Sequence, residues 1–252
     1  MILKPGKLPN EVKSYRPISL LPVISKIFEK ILLKRLKSVI ENLIPDHQFG
    51  FRSKHSTIDQ VHRITDIIEK ALENKQICSA LFLDVAQAFD KVWHEGLLQK
   101  IKRLLPLPFY YLLKSYLSER SFRVKQEQSY SELKKIRGGV PQGSVLAPVL
   151  YVLFTQDIPR LQHTTMATFA DDTAILAIGE TIEESTNKLQ SAVNKVVQWT
   201  SEWKIKLNES KSVHVDFTNK TVPCLPIYVN EIQVPYANTA KYLGMTLDAK
   251  LR

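Results

Sequence analysis

Cysteine is scarce: only Cys78, in an apolar run, and Cys224, near Pro223 and Pro226, occur in the chain. Such a pair offers neither a disulfide framework nor the spacing of a thiolate metal site, and it points to a reducing compartment. Long hydrophobic runs are missing as well. No stretch of roughly 18 apolar residues exists to span a bilayer, and the first ten residues hold no apolar core of the kind a secretory signal needs. The chain therefore reads as soluble and intracellular, with no membrane partner. A nucleophilic hydrolase also lacks its signature. Ser144 stands in Gln142-Gly143-Ser144-Val145-Leu146 without the second glycine of a nucleophile elbow, and His94, His163 and His214 show no pairing to it. There are no internal repeats, no low-complexity tracts and no signal that sets an oligomeric state.

Acidic residues are the minority charge. With 35 Lys and Arg against 25 Asp and Glu, the chain carries a formal charge of +10, a field that attracts polyanions. Residues 1–58 hold eleven of the basic residues and only Glu11, Glu29, Glu41 and Asp46 as acids, so most of the excess lies there. Lys4, Lys7, Lys13 and Lys54 in that segment are the candidates for gripping nucleic-acid phosphates. At 252 residues and 44% hydrophobic, the chain has enough apolar material to bury a core.

The apolar spacing predicts an amphipathic helix over 18–40, a second from Thr57 that ends at Asn74, and shorter ones over 92–105 and 109–117. Residues 77–85 read as a buried strand interrupted by one charge, Asp84. A strand over 122–128 and a glycine-rich loop over 137–143 lead to a helix capped by Ser144. Residues 166–178 read as a hairpin around Asp171-Asp172, followed by a long helix from Thr181 to about Trp203. Strands are expected over 213–217, 227–229 and 242–247. Without strict βαβ alternation, the expected fold is α+β, an antiparallel sheet with helices packed on one face.

A lone carboxylate buried at Asp84 would cost several kcal/mol or take up a proton. Two adjacent carboxylates at a hairpin, Asp171 and Asp172, repel each other, and a third on a neighbouring strand adds to the repulsion unless divalent cations neutralise it. Oxygen-only ligands favour Mg²⁺ or Mn²⁺ over zinc. Two such ions, roughly 3.5–4 Å apart, would serve an in-line phosphoryl transfer.

Three segments, two of which contain these acids, resemble the successive core motifs of reverse transcriptases. They are Phe82-Leu83-Asp84-Val85-Ala86-Gln87-Ala88-Phe89-Asp90-Lys91-Val92-Trp93-His94, Gly139-Val140-Pro141-Gln142-Gly143-Ser144-Val145-Leu146, and Phe169-Ala170-Asp171-Asp172. The wording is most similar to non-LTR (LINE-type) retrotransposons, in particular their jockey-like branch. Upstream, Ser14-Tyr15-Arg16-Pro17-Ile18-Ser19-Leu20-Leu21 and Gln48-Phe49-Gly50-Phe51-Arg52 resemble the fingers motifs. Downstream, Leu207-Asn208 with Lys211, and Lys241-Tyr242-Leu243-Gly244, resemble the last palm motifs.

The resemblance implies a right-hand polymerase fold with fingers over 1–76, a palm over 77–220 that lends part of 97–137 to the fingers, and the end of the palm with the primer-grip region over 221–252. The family's thumb and endonuclease do not fit in this length. It implies RNA-directed DNA synthesis from dNTPs on an RNA template and a DNA primer, with two Mg²⁺ or Mn²⁺ ions. Asp84, Asp171 and Asp172 would be catalytic metal ligands, and Lys211 a general acid toward pyrophosphate. Arg16, Arg52, Val85, Phe89, Gln142 and Gly143 would form the nucleotide site, Phe89 by excluding a 2′-hydroxyl. Ala147 stands where many relatives carry glycine. Members that prime on chromosomal DNA act in the nucleus, so a nuclear location is expected. The rival reading is a truncated, inactive remnant of such an element that only binds RNA.

Overall fold

The structure is a computed structural model and describes residues 2–3, 6, 8–11, 14–126 and 128–251; Lys4, Lys7 and Lys13 lie outside the described residues. Along the chain, β1 (Ile2–Leu3) and β2 (Tyr15–Arg16) precede α1 (Val23–Ile40), α2 (Thr57–Glu73) and β3 (Ile77–Leu83). Next come α3 (His94–Leu104) and α4 (Leu107–Leu117), then four short strands, β4 (Ser121–Phe122), β5 (Lys125–Gln126), β6 (Ser129–Tyr130) and β7 (Lys134–Lys135), and α5 (Ala147–Thr155). The remainder is β8 (Thr164–Phe169), β9 (Asp172–Gly179), α6 (Ile182–Glu202), β10 (Val213–Phe217), β11 (Tyr228–Val229), β12 (Ile232–Gln233), β13 (Thr239–Tyr242) and β14 (Met245–Asp248).

The elements group into two compact units, Met1–Leu43 with Phe89–Phe154, and Ile44–Ala88 with Thr155–Arg252. These boundaries differ from those expected from sequence. Residues 44–76 belong with the sheet, and the excursion that folds with the N-terminal segment runs from 89 to 154. The cause is α2, whose apolar stripe Ile64, Ile68 and Ala71 packs on the sheet residues Cys78, Ala80 and Phe82.

In the second unit an antiparallel sheet has the strand order β10-β3-β9-β8. All seven residues of its inner strand β3 are buried, because alternate side chains enter two different cores. Cys78, Ala80 and Phe82 meet α2, while Leu81 and Leu83 meet Leu189, Ala192, Val193 and Val196 of α6. Helices thus cover both faces of the sheet and not the single face expected. Each buried Leu or Ile contributes about 1.5–3 kcal/mol, so together these two interfaces fix where β3 ends.

Caps set the two helices. Ser56 and Asp59 form a reciprocal capping box at α2, the Asp59 N–H donating to Ser56 Oγ at 3.2 Å and the Ser56 N–H to Asp59 Oδ2 at 2.8 Å. Asn74 follows the helix as its C-cap. Thr181 caps α6 by accepting from the Glu184 N–H.

Edge strand β8 is not left open. The segment at Gln48 bridges to it in parallel, with the Thr168 N–H donating to the His47 carbonyl at 2.9 Å and the Phe49 N–H to the Thr168 carbonyl at 2.9 Å. Buried Gln60 of α2 ties both strands by donating to the His47 and Thr168 carbonyls. Residues 242–247, expected as one strand, instead belong to the hairpin β13–β14, turned at Leu243 (φ 48°) and Gly244 (φ 89°). Apolar residues on both arms hide the turn from a reading by periodicity.

In the first unit α3 and α4 bury Leu97, Ile101, Leu113 and Leu117. Helix α1 starts at Val23, five residues later than expected, because Pro22 precedes it. Its apolar residues occupy more than one face, so a single inward stripe cannot take them all: Leu32, Leu36 and Ile40 are buried, whereas Ile24, Ile27 and Ile31 are exposed. Glu29, fully buried, accepts from Tyr116 Oη at 2.9 Å and from the Val145 N–H at 2.6 Å. The strand expected over 122–128 breaks into β4 and β5, which pair with β7 and β6.

Candidate active site

Asp84 is the first residue after β3, so the packing that seats β3 also seats Asp84. Its backbone is held from a second direction, since the Asp84 N–H donates to Ser212 Oγ at 3.1 Å and its carbonyl accepts from the Asn208 N–H at 2.8 Å. Val85 pairs with Leu207 in an antiparallel bridge, and the Ala86 N–H donates to the Lys206 carbonyl. The segment 206–212 thus clamps the end of the strand and leaves the Asp84 side chain half-buried.

Asp171 and Asp172 come from the β8–β9 hairpin, in which Phe169 pairs with Asp172 and Ala170-Asp171 form the turn. Leu83 pairs with Thr173 across β3 and β9, so one further step in the same register sets Asp84 opposite Asp172. Ala170 adopts φ 57°, a left-handed conformation disfavoured for residues other than glycine. A side chain from another element compensates. Gln48 Oε1 accepts from the Ala170 N–H at 2.9 Å and from the Gly50 N–H at 2.7 Å, and Gln48 Nε2 donates to the Ala170 carbonyl at 3.3 Å. Gly50 lies so close that a Cβ there would stand 2.3 Å from the Ala170 nitrogen.

The three carboxylates sense one another. Asp172 is pushed up to about 6 from its ordinary 3.8, first by desolvation and then by the charges of Asp171 and Asp84. Because this residue remains open to water, the desolvation reflects crowding at the strand ends, and the two neighbouring charges are the specific part. Tyr242 lies close as well: its hydroxyl donates to the Ala167 carbonyl at 3.2 Å, and burial, followed by the Asp172 charge, pushes its phenol upward. His47, beside Gln48, is lowered to about 4 by burial, with Arg160 and Arg63 adding to the effect, and so is neutral at physiological pH.

Among the described residues no three His, Cys, Asp or Glu side chains already form a cage for a metal ion. The donor set nonetheless fits a hard divalent cation: its ligands are all oxygen, its negative charges are gathered at one sheet end, and desolvation together with the two neighbouring charges disfavours ionisation of Asp172. Asp84, Asp171 and Asp172 are the residues that would hold it.

The other candidates take varied places. Lys211 is exposed beside Ser212, in the segment that clamps Asp84. Arg52 turns back on its own loop, 3.7 Å from Asp46 and 3.5 Å from the Pro45 carbonyl. Lys54 is exposed with φ 62°. In the first unit, Phe89 stacks on Tyr151 with ring centroids 4.7 Å apart, and its carbonyl accepts from the Val140 N–H. Gln142 Nε2 donates to Asp90 at 2.9 Å, while the Gln142 carbonyl accepts from the Ser19 N–H at 2.8 Å. Gly143 (φ 103°) passes Ser19 where a Cβ would stand 3.0 Å from its carbonyl oxygen. Phe89, Gln142 and Gly143 therefore belong to one loop system closed by Ser19 and Asp90, and Arg16 lies exposed on β2 of the same unit. Sequence reasoning assigned no role to Gln48, Gly50, Ser212 or Tyr242. The first two and Tyr242 lie inside quoted motifs, which was a usable signal; Ser212 had none.

The family model for "Reverse transcriptase (RNA-dependent DNA polymerase)" matches residues 2–247. The chain belongs to the reverse transcriptase family. It is 44% identical to the probable RNA-directed DNA polymerase from transposon BS of Drosophila melanogaster, over all of this chain and 29% of that protein. It is 43% identical to the RNA-directed DNA polymerase from mobile element jockey of the same fly, over all of this chain and 28% of the relative. This reverse transcriptase domain thus spans less than a third of the length of those relatives. Among solved structures, apo telomerase from Candida tropicalis, truncated from its C-terminal domain, superposes with a TM-score of 0.63 at 12% identity, over 88% of this chain and 44% of that one. At that identity the likeness concerns the fold, which is the expected mixed helical and antiparallel reverse transcriptase fold. The jockey-like, non-LTR resemblance read from the motifs agrees with these relatives.

Proposed function

We propose that the chain is the RNA-directed DNA polymerase core of a non-LTR retrotransposon, joining dNTPs to a primer 3′-hydroxyl on an RNA template in the nucleus. The observation that carries this reading is the convergence of Asp84 and the Asp171-Asp172 turn on one end of the sheet, with Asp172 pushed up by desolvation and then by the charges of the other two. Reverse transcriptases as a family depend on divalent metal. Two Mg²⁺ or Mn²⁺ ions, when bound, lower the pKa of the attacking hydroxyl and offset charge on the leaving pyrophosphate.

The chain's own residues do the rest. Asp84, Asp171 and Asp172 would supply the carboxylate oxygens that hold the cations. Gln48 and Gly50 hold the turn that aims Asp171, and Ser212 with Asn208 holds Asp84. Phe89, Val85, Gln142 and Gly143 shape the nucleotide site, with Arg16 and Arg52 drawing the triphosphate and Lys211 donating a proton to pyrophosphate. Lys4, Lys7, Lys13 and Lys54 contact template or primer phosphates.

Primer extension on an RNA template tests the proposal. Extension should require Mg²⁺ or Mn²⁺ and fall by at least about a hundred-fold in Asp171→Asn. If neither the wild type nor the variant extends while both bind RNA equally, the chain is a binding module and this proposal fails.

A further inference from the structure

Between α4 and the glycine-rich loop, the chain forms a two-stranded ribbon that has no core of its own. β4 pairs with β7, Phe122 opposite Lys134, and β5 with β6, Lys125 opposite Tyr130. All eight strand residues are exposed. The two pairings differ by one residue in register, so Glu132 and Leu133 together oppose Arg123, which is a bulge that bends the ribbon and re-aims its side chains. Period-two alternation puts Arg123 and Lys125 on one face, and cross-strand pairing adds Tyr130 to it. The Arg123 guanidinium lies 4.4 Å from the Tyr130 ring centroid and the Lys125 ammonium 5.6 Å from it. Lys135 closes the stem, while Lys134 is 3.5 Å from Glu132.

We propose that this ribbon, formed by residues of the first unit alone, is a site for single-stranded nucleic acid. Charge decides the class of partner: a face made of two cations around one aromatic ring repels basic surfaces and matches a phosphate backbone. Shape decides the form. Tyr130, 52% exposed, and the outer face of the Arg123 plane offer stacking platforms that only unstacked bases reach, since bases within a duplex already stack on each other. RNA and DNA single strands share this chemistry. The inference does not depend on the proposed polymerase activity, because it concerns binding without turnover.

The test is fluorescence anisotropy with the whole chain, in EDTA and without dNTPs, using four probes: a single-stranded RNA, a single-stranded DNA of the same sequence, the corresponding duplex, and an acidic peptide. Tyr130→Ala and Arg123→Ala should each weaken single-strand binding about five- to a hundred-fold and leave the duplex affinity within two-fold. Tyr130→Phe, which keeps the ring, should bind as wild type. Arg123→Gln should lower the slope of log affinity against log salt by about 0.7 for each phosphate that is no longer neutralised. Unequal losses for the RNA and DNA probes would tell which strand the ribbon serves. Unchanged single-strand affinity in Arg123→Gln and Tyr130→Ala overturns the proposal, as does an equal loss on the duplex or tighter binding of an acidic peptide than of either single strand. Primer extension is read in a separate assay with Mg²⁺, so a failure of the polymerase reading leaves this result distinguishable.

Discussion

Gly50→Ala is the substitution that most directly probes how the Ala170-Asp171 turn is held. The added Cβ would stand 2.3 Å from the Ala170 nitrogen and 3.0 Å from both Gln48 Oε1 and the Phe169 carbonyl carbon, against 3.4–4 Å for ordinary van der Waals separation. Two of these three neighbours are backbone atoms, so they cannot swing aside as a flexible side chain would. Relief requires the turn, or the strand at Gln48, to retreat by about 1 Å. A shift of that size at a reacting geometry costs on the order of a hundred-fold in rate. Forcing the overlap costs about 1–3 kcal/mol in stability. Gly50 is not in the left-handed region, so alanine's backbone is tolerated and the effect isolates the steric overlap. The assay pairs primer extension with thermal unfolding. Wild-type extension together with a wild-type midpoint would refute the argument that Gly50 supports the turn. Gln48→Ala gives the complementary case: it leaves the Ala170 and Gly50 N–H groups without their acceptor, at about 1–3 kcal/mol each, and should lower extension even in variants that stay folded.

Other expectations follow from the same unit. Since Asp172 is raised from 3.8 to about 6 in the folded chain, the folded state holds more protons than the unfolded one between those values. Metal-free stability should therefore fall as pH rises through that window. Mg²⁺ should raise the unfolding midpoint more at pH 7.5 than at pH 5, as read by calorimetry, and an equal rise at both would contradict the linkage. Asp171→Asn removes one of the charges acting on Asp172, so Asp172 should titrate closer to 3.8 by carboxyl NMR while extension is lost. In the sheet interior, Asp216 accepts from Ser79 Oγ at 2.5 Å and lies 3.1 Å from His214 Nε2. Asp216→Leu leaves both partners buried without it and should cost about 3–5 kcal/mol by urea unfolding with no change in RNA affinity. A loss below about 1 kcal/mol would mean that the interior repacks around the missing carboxylate.

Local signals carried much of the fold. The apolar spacing from Thr57 announced α2, and the apolar run before Asp84 announced β3 as a buried strand, although the expected sheet had helices on one face. That second helix was hidden because a periodic pattern states that a helix has an apolar stripe, not which sheet face receives it. The assignment of residues 44–76 to the unit that holds the sheet was hidden for the same reason. Nothing in residues 44–76 says that Ile64, Ile68 and Ala71 will meet Cys78, Ala80 and Phe82.

The sequence by itself determined which residues are the candidates for the chemistry. Asp84, Asp171 and Asp172 are conspicuous because an acid inside an apolar strand and two adjacent acids at a turn are costly unless something offsets their charge. Only the tertiary structure decided what holds them. Gln48 reaches Ala170 across 122 residues of chain, and Ser212 reaches Asp84 across 128. Pairings of that separation exist only once β3, β8 and β9 have come together and the 47–50 and 206–212 segments have closed on their ends, so no local pattern of propensity or spacing encodes them.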